Sequence, residues 1–138
     1  FMLKKTIEYV DYNGNPRKED FYFNLSEAEL AKMELSVTGG YAEMLQRIID
    51  ARDMPEIASV FENLISKSYG EKSLDGRRFV KSKEISDAFM QTPAYDILYM
   101  EMMTDVKAAS DFINGITPNV EPVDADANKE NNITPFSN

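Results

Sequence analysis

Six cations, Lys67, Lys72, Arg77, Arg78, Lys81 and Lys83, fall within seventeen residues that hold only two anions, Glu71 and Asp75. That stretch carries a local net charge of +4 inside a chain whose total is −9, so the remainder carries −13. A planar guanidinium pairs bidentately with carboxylates, and Arg77 and Arg78 follow a Leu74-Asp75-Gly76 turn that would present both together. Two uses fit equally well: gripping carboxylates on a partner, or bridging acidic helices of the same subunit. Phosphate binding ranks third.

Catalytic chemistry finds less to work with. The sequence contains neither His nor Cys, which removes the commonest base near neutral pH, thiolate nucleophiles, disulfides and most transition-metal ligand sets. Asp50 with Asp53, and Glu101 with Asp105, stand three or four residues apart and offer a hard cation at most two carboxylates each. Solvated helix faces and caps account for them, so no metal site is expected. Ser66-Lys67 and Ser82-Lys83 are adjacent, and adjacent helical side chains do not face each other. No Gly-x-x-x-x-Gly-Lys phosphate loop occurs near Lys72-Ser73. No cofactor is implied, and the expected protein is not an enzyme. The acidic balance also argues against nucleic-acid binding, which needs a cationic surface to neutralise phosphates.

A second group of residues suits contact rather than chemistry. Tyr95, Tyr99, Met100, Met102 and Met103 crowd one short helix, and consecutive helical positions point in different directions. They cannot all face one small core. Flexible methionines fill varied shapes, so part of this cluster is expected to form an adaptable partner surface.

The elements that must position these groups are legible from period and punctuation. Residues 3–10 and 19–25 are β-branched and aromatic with partial alternation, and Asn13-Gly14 is expected to supply the positive-φ residues a tight turn between them needs. A hairpin is expected, its outer edge open to strand addition by a neighbour. From Ser26 the period becomes helical, opening on the capping box Ser26-Glu-Ala-Glu29 and running to about Val37. A Gly39-Gly40 break precedes a helix with Tyr41, Met44, Leu45, Ile48 and Ile49 on one face. Asp53 and Pro55 start a third helix, striped by Ile57, Val60, Phe61, Leu64 and Ile65, with Gly70 as its left-handed cap. After the basic loop, Ser82 caps a helix through Ile85, Ala88 and Phe89. Thr92-Pro93 opens a fifth, and Thr104 or Asp105 a sixth. The fold class is therefore mainly α with an N-terminal β-hairpin (α+β), a small helical bundle packed on the hairpin.

Phe1 precedes Met2 and reads as an addition to the native start, so the folded domain is set at 2–116. Residues 117–138 shift to Pro, Asn, Asp and Thr and are expected to form a disordered acidic tail. No apolar run is long enough to span a bilayer, so no membrane partner is expected.

The order of these features resembles the tail assembly chaperones of long-tailed (siphovirus-type) bacteriophages. The resemblance rests on the Asn-Gly hairpin, Phe21-Tyr-Phe-Asn-Leu-Ser26, the Gly-Gly break, Lys67 through Ser82, Phe89-Met-Gln-Thr-Pro-Ala-Tyr95 and Asp111-Phe-Ile-Asn-Gly115. It covers residues 3–116. The resemblance implies a non-enzymatic oligomer that binds and solubilises the tape measure protein while the tail tube polymerises around it. The tail tube protein would be met through a longer, frameshifted form, of which this chain resembles the short version. The implied location is the host cell cytoplasm, with absence from the mature virion. The family brings no catalytic residues. The partner-contacting residues chosen on this reading are Arg77, Arg78, Lys81, Lys83, Tyr95, Tyr99, Met100, Met102 and Met103. The rival reading is a small acidic phage inhibitor, or nucleic-acid mimic, acting on a host protein. A mimic needs a continuous carboxylate track, which the basic stretch interrupts, and it would leave the tape measure protein insoluble. A carboxylate-only metal enzyme comes last and would require tight Mg²⁺ binding.

Overall fold

The alternation at the start of the chain folds as a hairpin, β1 (Leu3–Val10) and β2 (Pro16–Phe23), in a computed structural model that describes residues 2–117. Its turn is fixed by Asp11. The backbone amides of Asn13 and Asn15 both donate to Asp11 Oδ1 at 2.9 Å, and Arg17 Nε donates to Oδ2 at 2.6 Å. The Arg17 guanidinium, helped by those amides, holds the Asp11 carboxyl below the usual carboxylate range. The second strand starts three residues earlier than its composition suggests, at Pro16, where a missing N–H costs nothing. It stops at Phe23, because the next amides are taken elsewhere: Asn24 N–H donates to Ser68 O (2.8 Å) and Leu25 N–H to Ile116 O (3.0 Å).

The capping box forms as expected. Glu29 N–H donates to Ser26 Oγ at 3.1 Å and Ser26 N–H to Glu29 Oε1 at 2.8 Å, opening α1 (Glu27–Leu35). Next come α2 (Tyr41–Ala51) and α3 (Met54–Ser68), the latter capped by Asp53 with Pro55 in its first turn. The end of α3 departs from expectation. Gly70 is not a left-handed helix cap. Tyr69 is already extended, and the chain runs straight into β3 (Tyr69–Lys72), with β4 (Phe79–Val80) folding back on it. Glycine is required at 70 for a different reason: a Cβ there would lie 2.8 Å from the Phe79 ring and 2.8 Å from the Val80 carbonyl oxygen. The basic stretch is thus a second hairpin. Through the pairs Tyr22↔Gly70 and Phe23↔Tyr69 it joins the first, giving an antiparallel sheet ordered β1-β2-β3-β4.

Three helices complete the described residues: α4 (Lys83–Met90), α5 (Pro93–Thr104) and α6 (Val106–Ile116). Their caps are Ser82, Thr92 and Asp105, each accepting from first-turn amides. Ala88, expected on the inner face of α4, is exposed; Ser86 is buried in that face and donates to Ser66 O at 2.7 Å. A small polar side chain there lets α4 sit close against α3.

The core lies between sheet and helices and is centred on aromatic rings. Tyr69 stacks on Phe89 (4.3 Å between centroids, 11° between planes), while Phe23 meets Phe89 and Phe112 edge-on at 5.8 and 5.3 Å. Burial pushes the Tyr69 hydroxyl up to about 12. Leu64, Ile65, Leu98 and Ile113 surround the rings, none more than 1% exposed. Among the described residues no helix is long and apolar enough to cross a membrane. The acidic tail expected after 116 lies, from Pro118 on, outside the described residues.

Candidate partner-binding surfaces

The tip of the β3–β4 hairpin is built by short-range hydrogen bonds. Ser73 N–H donates to Arg78 O and Gly76 N–H to Ser73 O, both at 2.9 Å. Ser73 Oγ donates to Asp75 Oδ1 at 2.7 Å, and Arg77 N–H donates to the same oxygen at 3.0 Å. The Arg77 amide and Ser73 hydroxyl hold the Asp75 carboxyl below its usual range. Gly76, at φ +74°, supplies the left-handed residue the turn needs. Asp75 Oδ1 is thereby engaged in holding the turn rather than in pairing with either guanidinium. The Arg77 and Arg78 guanidiniums accordingly find no ion-pair partner among the described residues, and Leu74 between the strands is fully exposed.

Lys81 and Lys83 behave differently. Lys81 Nζ donates to Asn24 O at 2.6 Å and to Glu29 Oε1 at 2.7 Å, tying β4 to the start of α1. Lys83 pairs with Asp87 one turn along α4 at 2.8 Å. Bridging within the subunit is therefore what the lysines do, while the arginines are left for something else. Burial raises the Glu29 pKa, but the Lys81 ammonium and the Ser26 amide outweigh it and the net shift is downward. A depressed carboxylate contributes stability above its unfolded pKa and loses it as pH falls through the folded value. Lys81→Met is expected to cost about 1–2 kcal/mol in urea unfolding at neutral pH, and to flatten the acid limb of the pH–stability curve. An acid limb identical to wild type would show that Glu29 is held by its cap alone.

At the other end of α3 lies an apolar pocket of about 240 Å³, walled by Met54, Ile57 and Phe61 of α3 and by Met102, Met103 and Val106 of the α5–α6 junction. Met54 and Val106 are 47% and 39% exposed at its mouth. Since the basic hairpin starts where α3 ends, the fifteen residues of that helix hold the two surfaces roughly 20 Å apart.

The sequence matches the phage tail assembly chaperone family over residues 2–134. The chain belongs to that family. No curated protein and no solved structure matches it. Membership implies a non-catalytic role in tail assembly, exercised by binding tail proteins. The carboxylates weighed for metal chemistry have structural work in the chaperone. Asp50 accepts from Gln46 at 2.9 Å, Asp53 and Asp105 cap helices, and Glu101 pairs with Lys5 at 3.3 Å. Among the described residues no three His, Cys, Asp or Glu side chains converge as a metal site would need.

The α5 cluster divides by depth. Met102 is 3% exposed and belongs to the core of the chaperone, as do Leu98 and Ala94 one and two turns earlier. Tyr95, Tyr99 and Met103 are half-buried against that core; Tyr95 meets Phe89 edge-on at 5.9 Å, and burial pushes its hydroxyl up to about 12. Only Met100 stands clear, at 55%, with Ile97 at 45% one turn before it. Ile97, Met54, Val106 and Leu74 are exposed apolar residues that sequence reasoning missed. Each sits where a helix or turn begins or within a regular stripe, and no local signal separates the outer face of α5 from the inner one.

Proposed function

We propose that this chaperone binds and solubilises the tape measure protein and assists tail tube polymerisation around it. The reading is supported by family membership together with one structural observation, the exposed apolar positions of α5 and the α3–α6 pocket set apart from an unpaired arginine hairpin. A tape measure protein is a long helical chain whose apolar stripes aggregate when bare. Met54, Met100, Met103 and the half-buried Tyr95 and Tyr99 offer adaptable cover for such stripes. Arg77 and Arg78 dock on the acidic surface of the next copy, so successive chaperones line the client head to tail. The tail tube protein is engaged through a longer, frameshifted form. The setting is the host cytoplasm, and the chaperone is absent from the finished virion.

Co-expression of the tape measure protein with and without the chaperone tests the client. We expect most of the tape measure protein to move from the pellet to a co-purifying soluble complex; an unchanged pellet overturns the reading. Self-docking has its own test. Arg77→Glu with Arg78→Glu removes no ion pair among the described residues, so the fold should be retained, and self-association at low salt should weaken at least about tenfold. Sedimentation velocity with the same profile as wild type would refute head-to-tail docking.

A further inference from the structure

The sheet ends on β1, and the order β1-β2-β3-β4 leaves its outer side without a neighbouring strand. The opposite edge, β4, is two residues long, whereas β1 is eight and pairs with β2 from Leu3↔Phe23 to Val10↔Pro16 without a bulge. Two hydrogen bonds fix which backbone groups face outward. Asp11 N–H donates to Asn15 O at 2.9 Å, and Asn24 N–H to Ser68 O at 2.8 Å. Hydrogen-bonded pairs alternate along an antiparallel ladder, so the odd-numbered residues of β1 bond to β2. The N–H and C=O groups of Lys4, Thr6, Glu8 and Val10 turn to the open side, and all four residues are exposed.

An unpaired edge is normally blunted by a proline, a bulge or an inward-pointing charge. β1 has no proline, and Lys5 on its inner face is answered within the subunit by Glu101 at 3.3 Å. The outer face carries a pattern that fits one partner. Lys4 has no ion-pair partner among the described residues. Glu8 reaches only Lys18, at 4.0 Å, with both side chains largely in solvent. Turned antiparallel about Thr6, a second β1 sets Lys4 opposite Glu8 and Glu8 opposite Lys4, with Thr6 against Thr6 on the dyad. Sliding the pair by two residues sets Lys4 against Val10 or Thr6 instead, and parallel in-register pairing sets like charges side by side.

We propose that β1 pairs antiparallel with β1 of a second copy of this chain, in the register that places Lys4 against Glu8. The contact is isologous. It joins two four-stranded sheets into one of order β4-β3-β2-β1-β1-β2-β3-β4 and sets the two arginine hairpins at opposite ends, about 34 Å apart. Neither the arginines nor the client surfaces take part, so the pairing stands or falls separately from the reading above.

Full-length chains carrying Arg77→Glu/Arg78→Glu, which lack the arginine contact, test it by sedimentation equilibrium. At about 50 µM they should form dimers, and monomers alone overturn the proposal. In that background Lys4→Glu or Glu8→Lys should each weaken the dimer at least about tenfold, since two cross-strand pairs turn repulsive. An equimolar mixture of the two variants should regain an affinity within about threefold of the parent, because opposite charges meet again. Thr6→Pro removes an outward N–H that β2 does not use and should abolish the dimer. Thr6→Val loses the same hydroxyl bond to Asp20 (2.6 Å) and should keep it. Parent-like amide shifts at Phe23 and Phe61 verify that each variant folds. Indifference to charge reversal, a mixture as weak as its components, or dimers that survive Thr6→Pro would each refute the pairing.

Discussion

Replacing Phe23 by alanine is expected to lower the unfolding free energy by about 3–5 kcal/mol. The ring is fully buried and touches Tyr69, Phe89 and Phe112 at 5.3–5.8 Å, so its loss leaves a void bounded by β3, α4 and α6 at once. Phe23 also marks the place where the two hairpins join, across from Tyr69. A domain of this size has roughly 5–15 kcal/mol to lose, and a fall in Tm of at least about 10 °C should follow. Tyr12→Ala, at an 80% exposed turn position, is the control and should stay within about 0.5 kcal/mol of wild type. A loss below about 1 kcal/mol for Phe23→Ala would mean that the joint between the hairpins is held by something other than its rings.

Gly70→Ala is expected to cost about 2–3 kcal/mol, although it adds one methyl group. The new Cβ meets two obstacles at 2.8 Å, and they differ in kind. The Phe79 ring is half-exposed and can swing aside; the Val80 carbonyl belongs to the strand paired with β3 and cannot move without opening the β3–β4 ladder. Adding Phe79→Ala to the variant therefore should not relieve the overpacking, because the carbonyl clash persists. Gly76→Ala makes the useful comparison. Nothing lies within 4 Å of its Cβ, and the left-handed backbone alone should cost about 1–2 kcal/mol. Chemical denaturation of the three variants separates backbone approach from backbone conformation. Full rescue by Phe79→Ala would transfer the constraint from the carbonyl to the ring. Displacement of the hairpin tip should also weaken any self-association that depends on Arg77 and Arg78.

Local chemistry was legible in the sequence because it is decided within a few residues. The capping box at Ser26 and Glu29 and the caps at Asp53, Ser82 and Thr92 all involve a side chain and amides close by in the chain. So does the stripe Ile57, Val60, Phe61, Leu64, Ile65, whose period alone selects a helix face. The turn at Asn13-Gly14 falls where expected, but Gly14 alone takes positive φ, because the Asp11 carboxylate rather than Asn13 shapes the loop. Tyr69–Lys72 was not legible as a strand, because β2, more than forty residues earlier, makes it one. Gly70 misled for a related reason: tolerance of positive φ and tolerance of close approach both select glycine, and only the neighbour at 79–80 tells them apart. At the candidate surfaces, charge clustering pointed to the right stretch but could not assign its members. Arg77 and Lys81 look alike in sequence, yet one projects from a turn and the other is drawn to Glu29 across fifty-two residues. Met100 and Met102 differ only in the side of α5 they occupy, which the position of β1 and α6 decides.

Between β2 and β3 the chain makes an excursion through α1, α2 and α3, and its first two helices are thinly anchored. Met33 is the buried side chain of α1, while Leu45 and Ile49 are those of α2. Opening this lobe sacrifices little apolar burial and leaves both hairpins and α4–α6 in register, so it should precede global unfolding as a separate event. Amide hydrogens of residues 27–51 should exchange through that partial opening, well ahead of those in α6. Lys32 and Met33 on α1 also line a cavity with Leu25, Ser66, Lys67 and Lys83, so the same partial opening should strip that cavity of one wall while the sheet stays intact.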